Sequence, residues 1–268
     1  MKANIFLVVF ITTLVACTSC NENGKDKPAI NNEPKQLTYN ITAVYPHDAT
    51  SYTEGLEWHD GFLYEGTGDA EYTGKSKLAK VDLKTGKDVQ KINLAKEYFG
   101  EGITMLNGKI YQATYQQQKC FVYDAKSFAK IKEFTYEGEG WGLTNDGKQI
   151  IMSNGGSNLY FRDSETFAVT KTVAVTNNYG PLSAINELEY VDGFVYANVW
   201  TTNKIVQIDL ATGKVIAEAN FDDLFIKYAP EFKDAKMDVL NGIAYDSVGK
   251  RFFITGKYFP ALFEVTFN

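Results

Sequence analysis

Beyond residue 36 the chain alternates short apolar runs with polar turns, and the runs recur. A strand of small, apolar and aromatic residues appears as Gly61-Phe62-Leu63-Tyr64, Gly108-Lys109-Ile110-Tyr111, Gln149-Ile150-Ile151-Met152, Gly193-Phe194-Val195-Tyr196 and Arg251-Phe252-Phe253-Ile254. The copies lie about 40 to 57 residues apart, the period of a four-stranded propeller blade. A second motif precedes each copy: Thr53-Glu54-Gly55-Leu56-Glu57, Gly100-Glu101-Gly102-Ile103-Thr104, Gly140-Trp141-Gly142-Leu143-Thr144, Ile185-Asn186-Glu187-Leu188-Glu189 and Leu240-Asn241-Gly242-Ile243-Ala244. Each reads as the first strand of a blade. A third strand follows with alternating apolar and polar positions and ends in an Asp-containing turn, as in KLAKVDLKTGK (77–87) and KIVQIDLATGK (204–214).

The pattern predicts an all-β, five-bladed β-propeller. The last unit runs out at residue 267 with only three strands, and residues 38–46 form an unassigned strand at the other end. They are expected to complete the last blade and close the ring, which removes an exposed sheet edge. A β-sandwich would not require a repeated first strand. Residues 221–239 break the period and predict a helical or looped insertion.

The front of the chain changes the picture. Met1 and Lys2 precede an apolar run over 5–16 that is too short for a membrane span, and Leu14-Val15-Ala16-Cys17 resembles a bacterial lipobox. The expected division is a signal peptide over 1–16, a lipidated tether over 17–36 anchored through Cys17, and a catalytic propeller over 37–268. An exported lipoprotein is expected, anchored on the periplasmic side, the outer membrane or the cell surface. Composition supports one ordered domain: 268 residues, 44% hydrophobic, 14% aromatic, six Pro. A net charge of -6 gives no basic surface for a polyanion, so nucleic acid is not an expected ligand. Three cysteines do not make a disulfide framework. His47 and His59, the only histidines, lack metal-binding spacing and are expected to be surface or loop residues; no metal or other cofactor is expected.

First strands line the axial channel of a propeller. Their starts bring Glu54, Glu101, Trp141, Asn186 and Asn241 into one ring. The far ends of the second strands should add Tyr115, Asn154, Trp200 and Lys257 at the same mouth. A lysine in the apolar run 252–260 is seldom buried without a partner, so Lys257 points to a charged site.

Taken in order, Tyr52-Thr53-Glu54-Gly55-Leu56, Tyr98-Phe99-Gly100-Glu101-Gly102, Gly140-Trp141-Gly142-Leu143, Asn186-Glu187-Leu188, Asn198-Val199-Trp200, Leu240-Asn241-Gly242-Ile243 and Thr255-Gly256-Lys257 resemble the plant-type glutamine cyclotransferases over nearly all of 40–268. The resemblance implies a five-bladed propeller that converts N-terminal glutaminyl residues of peptides to pyroglutamyl with release of ammonia, without a catalytic metal; a monomer is expected. The resemblance also implies Glu101 as the essential acid, Lys257 and Asn186 beside it, and Trp141 and Trp200 as site tryptophans; the strand positions add Tyr115, Tyr52, Glu54, Asn154 and Asn241 as expected substrate contacts. Two departures stand out: the family often has Phe-Thr-Gln at 52–54 and a Trp at 115.

The chemistry fits. The α-amine must lose a proton as it attacks the γ-carboxamide carbon, and the departing nitrogen must gain one; Glu101 can relay it. Asn186 and an indole N–H of Trp141 or Trp200 are candidate oxyanion donors. The rival reading is a non-catalytic propeller lipoprotein binding a peptide or glycan in the envelope, since fold alone does not decide. A calcium-dependent propeller hydrolase is a weaker third, and Glu54 could alternatively help hold an axial cation.

Overall fold

A computed structural model of the chain describes residues 33–268, and the account of the structure concerns these residues. Signal peptide, Cys17 and most of the tether lie outside them. The tether ends earlier than expected: Lys35–Gln36 form a short strand, with Lys35 paired to Ala217 and Gln36 to Glu218.

Five sheets follow one another along the chain. The first holds Tyr52–His59, Phe62–Gly68, Lys77–Asp82 and Lys87–Asn93. The second holds Gly100–Leu106, Lys109–Thr114, Lys119–Asp124 and Lys130–Thr135. The third holds Leu143–Asn145, Gln149–Met152, Asn158–Asp163 and Val169–Ala174. The fourth has Ile185–Val191, Phe194–Val199, Lys204–Asp209 and Lys214–Asn220 at its centre. The fifth has Leu240–Asp246, Arg251–Gly256 and Ala261–Phe267, with Tyr39–Pro46 antiparallel to the last.

The expectation of five like blades holds only in a coarser form. The chain is an all-β propeller with four four-stranded blades, and the remaining sheet, the fourth in order, has seven strands. Its extra strands are Lys35–Gln36 and a small hairpin, Thr176–Asn177 with Gly180–Pro181, both set against Lys214–Asn220. No repeat signalled them, because two-residue strands carry no readable alternation.

Why the sheets stand side by side follows from where their apolar residues go. Each sheet is apolar on both faces, and its neighbours bury those faces. Leu78 and Tyr64 of the first sheet pack with Ile103 and Phe121 of the second. Val122 and Tyr111 of the second meet Ile150 and Phe167 of the third. Phe161 meets Val206, Ile205 meets Ile254, and Phe253 with Leu262 returns to Leu56 of the first. The insertion joins the fourth and fifth sheets: Leu224–Tyr228 is a helical turn whose Leu224 and Phe225 are buried in their shared core. Asp82, Asp124, Asp163 and Asp209 each accept a hydroxyl three residues on, from Thr85, Ser127, Thr166 and Thr212, and so set the hairpin to the outermost strand.

His47 corrects the sequence expectation. It is not a surface residue: its side chain is 4% exposed. Nδ1 lies 2.6 Å from the Phe259 carbonyl and Nε2 3.1 Å from Glu65 Oε1. With acceptors at both ring nitrogens, the imidazolium satisfies both and the neutral ring only one. It thus ties the segment following the closing strand to both the fifth and the first sheet. Burial opposes its charge, but Glu65 outweighs burial and holds His47 above the ordinary imidazole range. A raised pKa stabilises fully below the unfolded value and is lost as pH rises through the folded one. We therefore expect the melting temperature to fall as pH rises above about 6.5, and His47→Gln to flatten that slope while costing about 3–5 kcal/mol at pH 6, because Glu65 is left buried. Thermal melts at a series of pH values check this; an unchanged slope in the variant overturns it. His59, half exposed beside Asp60, fits its surface assignment.

Candidate active site

The first strands meet in order around the axis, and the last packs against the first. Glycine is required there. A Cβ on Gly102 would stand 2.5 Å from the Leu143 nitrogen, and one on Gly142 would stand 2.1 Å from the Asn186 carbonyl oxygen. The strands carry a further device that the repeats did not reveal. Four of them slip register at their starts, between Thr53 and Gly55, Gly100 and Ile103, Ile185 and Leu188, and Leu240 and Ile243. Glu54, Glu101, Asn186 and Asn241 are the residues in the slips. A bulge breaks the alternation of a strand and re-aims its side chain, which is how these groups leave the pleat and turn to the axis.

Three of them, Glu54, Glu101 and Asn186, border a cavity of about 270 Å³. Of the ten site residues read from the sequence, eight line it: Tyr52, Glu54, Glu101, Tyr115, Trp141, Asn186, Trp200 and Lys257. Two do not. Asn154 lines a neighbouring cavity and accepts a hydrogen bond from its own loop at Gly156. Asn241 is fully buried outside the cavity's lining and supports Glu54. Three lining residues were missed: Ala70, Tyr72 and Phe99. Phe99 precedes the glutamate motif directly and could have been found there. Ala70 and Tyr72 belong to the loop between Phe62–Gly68 and Lys77–Asp82, which carries no repeat.

At the centre Lys257 Nζ lies 2.6 Å from Glu54 Oε1, and both side chains are at least 96% buried. Asn241 Nδ2 donates to the other oxygen, Glu54 Oε2, and to the Thr53 carbonyl, each at 3.0 Å. The ammonium also sits 4.4 Å from the centre of the Tyr52 ring. Burial pushes Glu54 up to about 7 against the pull of Lys257. Burial also works against the Lys257 charge, yet Glu54 and Glu101 outweigh it and hold the lysine above its usual range. Burial thus raises the acid of the pair, whereas the two neighbouring carboxyls raise its base. We assign the charges to the 2.6 Å pair and the additional proton to Glu101. Glu101 is raised well above the ordinary range, first by burial, then by Glu54, against Lys257 and with Glu139 adding to the rise.

The walls differ in two respects from the sequence reading. Trp141 does not offer its indole N–H to the cavity: Nε1 donates to Glu139 Oε2 at 3.1 Å, and the ring packs edge-to-face on Trp200 at 5.5 Å. Asn186 hydrogen bonds towards Glu54, and its Oδ1 is buried without a partner. An acceptor in that state costs about 1–3 kcal/mol until a donor arrives. Among the described residues no group of three His, Cys, Asp or Glu side chains could hold a metal ion. Cys120 is a buried free thiol.

A propeller with a buried acid and an ion pair at its axis, walled by aromatic rings, has the equipment of an acid–base enzyme. The chain belongs to the glutamine cyclotransferase family, whose sequence profile matches residues 9–267. It is 37% identical over 227 residues to the glutaminyl-peptide cyclotransferase of Arabidopsis thaliana, an alignment covering 84% of this chain and 70% of that protein. It is also similar to the crystal structure of Myxococcus xanthus glutaminyl cyclase, with a TM-score of 0.80 and 32% identity, over 88% of this chain and 99% of that one.

Proposed function

We propose that this protein is a glutaminyl-peptide cyclotransferase, closing the N-terminal glutaminyl residue of peptides to pyroglutamyl and releasing ammonia. The observation that carries the reading is a buried Glu101 beside the Lys257–Glu54 pair in a cavity of about 270 Å³, in a chain of this family. That volume suits one folded glutaminyl side chain, with the rest of the peptide directed to solvent.

The steps balance as follows. On binding, the charged substrate displaces the resting proton of Glu101 to solvent, and its α-ammonium then gives a proton to the Glu101 carboxylate. The free amine attacks the γ-carboxamide carbon, a C–N bond forms, and the carbonyl oxygen takes up negative charge. Trp200, whose indole is not engaged as that of Trp141 is, and the amide N–H of Asn186 line the same cavity and can donate to that oxygen, each worth on the order of 3 kcal/mol. Glu101 then passes its proton to the γ-nitrogen, the C–N bond to that nitrogen breaks, ammonia leaves, and the ring nitrogen gives its second proton back to Glu101 to form the neutral lactam. A raised Glu101 suits the relay, because it narrows the gap between the carboxyl and the amine whose proton it carries. Tyr52, Phe99, Tyr115 and the two tryptophans confine the side chain in the bent form that ring closure needs.

The finer reading of the molecule goes with this. We count the seven-stranded sheet as a blade, so the ring numbers five, closed by Tyr39–Pro46; the cyclic order of the first strands supports this count. The lipobox at Cys17 supports a signal peptide over 1–16 and a lipid-anchored, envelope-facing monomer whose partners are peptides or proteins beginning with Gln. A coupled ammonia-release assay with a Gln-initiated dipeptide tests the activity. Turnover that survives a chelator is expected; no ammonia above the blank, or loss on chelation, overturns the reading.

A further inference from the structure

The cavity contains two carboxyls and one ammonium, and the ammonium is already taken. Lys257 Nζ stands 2.6 Å from Glu54 Oε1, and Asn241 fixes Glu54 Oε2 at 3.0 Å, so the carboxylate is held from both sides. Glu101 shares the same cavity, is 4% exposed, and has no ion-pair partner among the described residues. We propose that Glu54 is a positioning residue that takes up the charge of Lys257 and thereby leaves Glu101 to be counterbalanced by the α-ammonium of the substrate. The proposal rests on the cyclotransferase reading and adds to it how the site selects its substrate. A peptide presenting a charged N-terminus brings the cation that takes the place of the Glu101 proton, and a pyroglutamyl product, whose ring nitrogen is an amide, does not. Recognition and release are then two sides of one charge balance.

The groups facing Glu101 are few enough to name. Glu54 comes from the first strand of the first sheet, Lys257 from the turn after Arg251–Gly256, and Glu139 from the loop before the third sheet. The phenols of Tyr115 and Tyr136 complete the set and are neutral near pH 7, both being held above the usual tyrosine range by burial. Glu139 is committed elsewhere, accepting from Trp141 Nε1 and Gln116 Nε2. Glu54→Gln removes one negative charge at constant shape and frees Lys257 to act on Glu101. Both changes favour the Glu101 carboxylate.

The experiment compares wild type with Glu54→Gln in two ways. Carbon NMR of the labelled glutamate carboxyls, with Glu101 assigned through Glu101→Gln, follows its titration in the substrate-free protein. The pH dependence of kcat/KM is measured on a Gln-initiated dipeptide amide. The expected result is a fall in the Glu101 midpoint by at least about one pH unit, the acid limb of kcat/KM moving the same way, and a rise in KM near neutral pH. An unmoved or raised midpoint overturns the proposal, as does a uniform loss of activity with no change in the profile. Should Glu54→Gln misfold, Lys257→Met gives the opposite sign: the midpoint rises. A wild-type protein that releases no ammonia would refute the cyclotransferase reading, and the NMR titration would still decide the role of Glu54.

Discussion

Glu101→Gln should fold as the wild type does and cyclise a Gln-initiated dipeptide about 10²–10⁴ times more slowly, with most of the loss in kcat. The reason lies in what the substitution keeps. Glu101 in the substrate-free site holds a proton because burial and Glu54 disfavour its charge, so the neutral carboxamide matches the resting side chain in shape and charge. What it lacks is the ability to accept and return a proton. Melting temperature and steady-state kinetics on the same preparation separate the two: an unchanged melt with a collapsed kcat is the expected pair. Activity within tenfold of wild type would remove Glu101 from the proton relay.

Removing residues 33–46 should abolish cooperative folding, whereas a chain beginning at residue 33 should fold. The strand Tyr39–Pro46 pairs with Ala261–Phe267 from Tyr39 opposite Phe267 to Pro46 opposite Ala261. Tyr39 stacks on Phe221 at 4.3 Å, and Tyr45 contacts Phe253 while donating to Glu264. Losing Tyr39, Ile41 and Tyr45 from these cores costs on the order of 5 kcal/mol, comparable to the whole stability of a marginal domain. It also leaves the edge Ala261–Phe267 unpaired, open to strand addition from a second molecule. Circular dichroism melts and light scattering of the two chains decide the matter; a cooperative melt from the shorter chain would show that the closing strand is dispensable.

The strand repeats were legible because a half-buried strand writes its environment into alternate residues, and five copies reinforce one another. Glu54, Glu101, Asn186 and Asn241 were legible as a ring for the same reason. What turns them to the axis was not. A bulge is a matter of pairing with the next strand, and neither Thr53-Glu54-Gly55 nor Leu240-Asn241-Gly242 announces it alone. The connectivity of polar groups was equally hidden. Nothing in the order of residues says that the Trp141 N–H belongs to Glu139, or that Asn241 stands behind Glu54. Asn154 was misplaced because the loop after Gln149–Met152 turns it into the adjoining cavity, where Gly156 satisfies it. His47 shows the limit most clearly: its two partners, Phe259 and Glu65, come from sheets that adjoin only once the ring is closed.

Of the three tryptophans in the chain, two face each other at right angles in the wall of the cavity, and the third, Trp58, lies against Phe253 between the fifth and first sheets. The ultraviolet emission of the protein is therefore weighted towards the place where ligands would sit. Occupancy can be followed by intrinsic fluorescence in the unlabelled protein, with Trp58 as an internal reference that ligand does not reach.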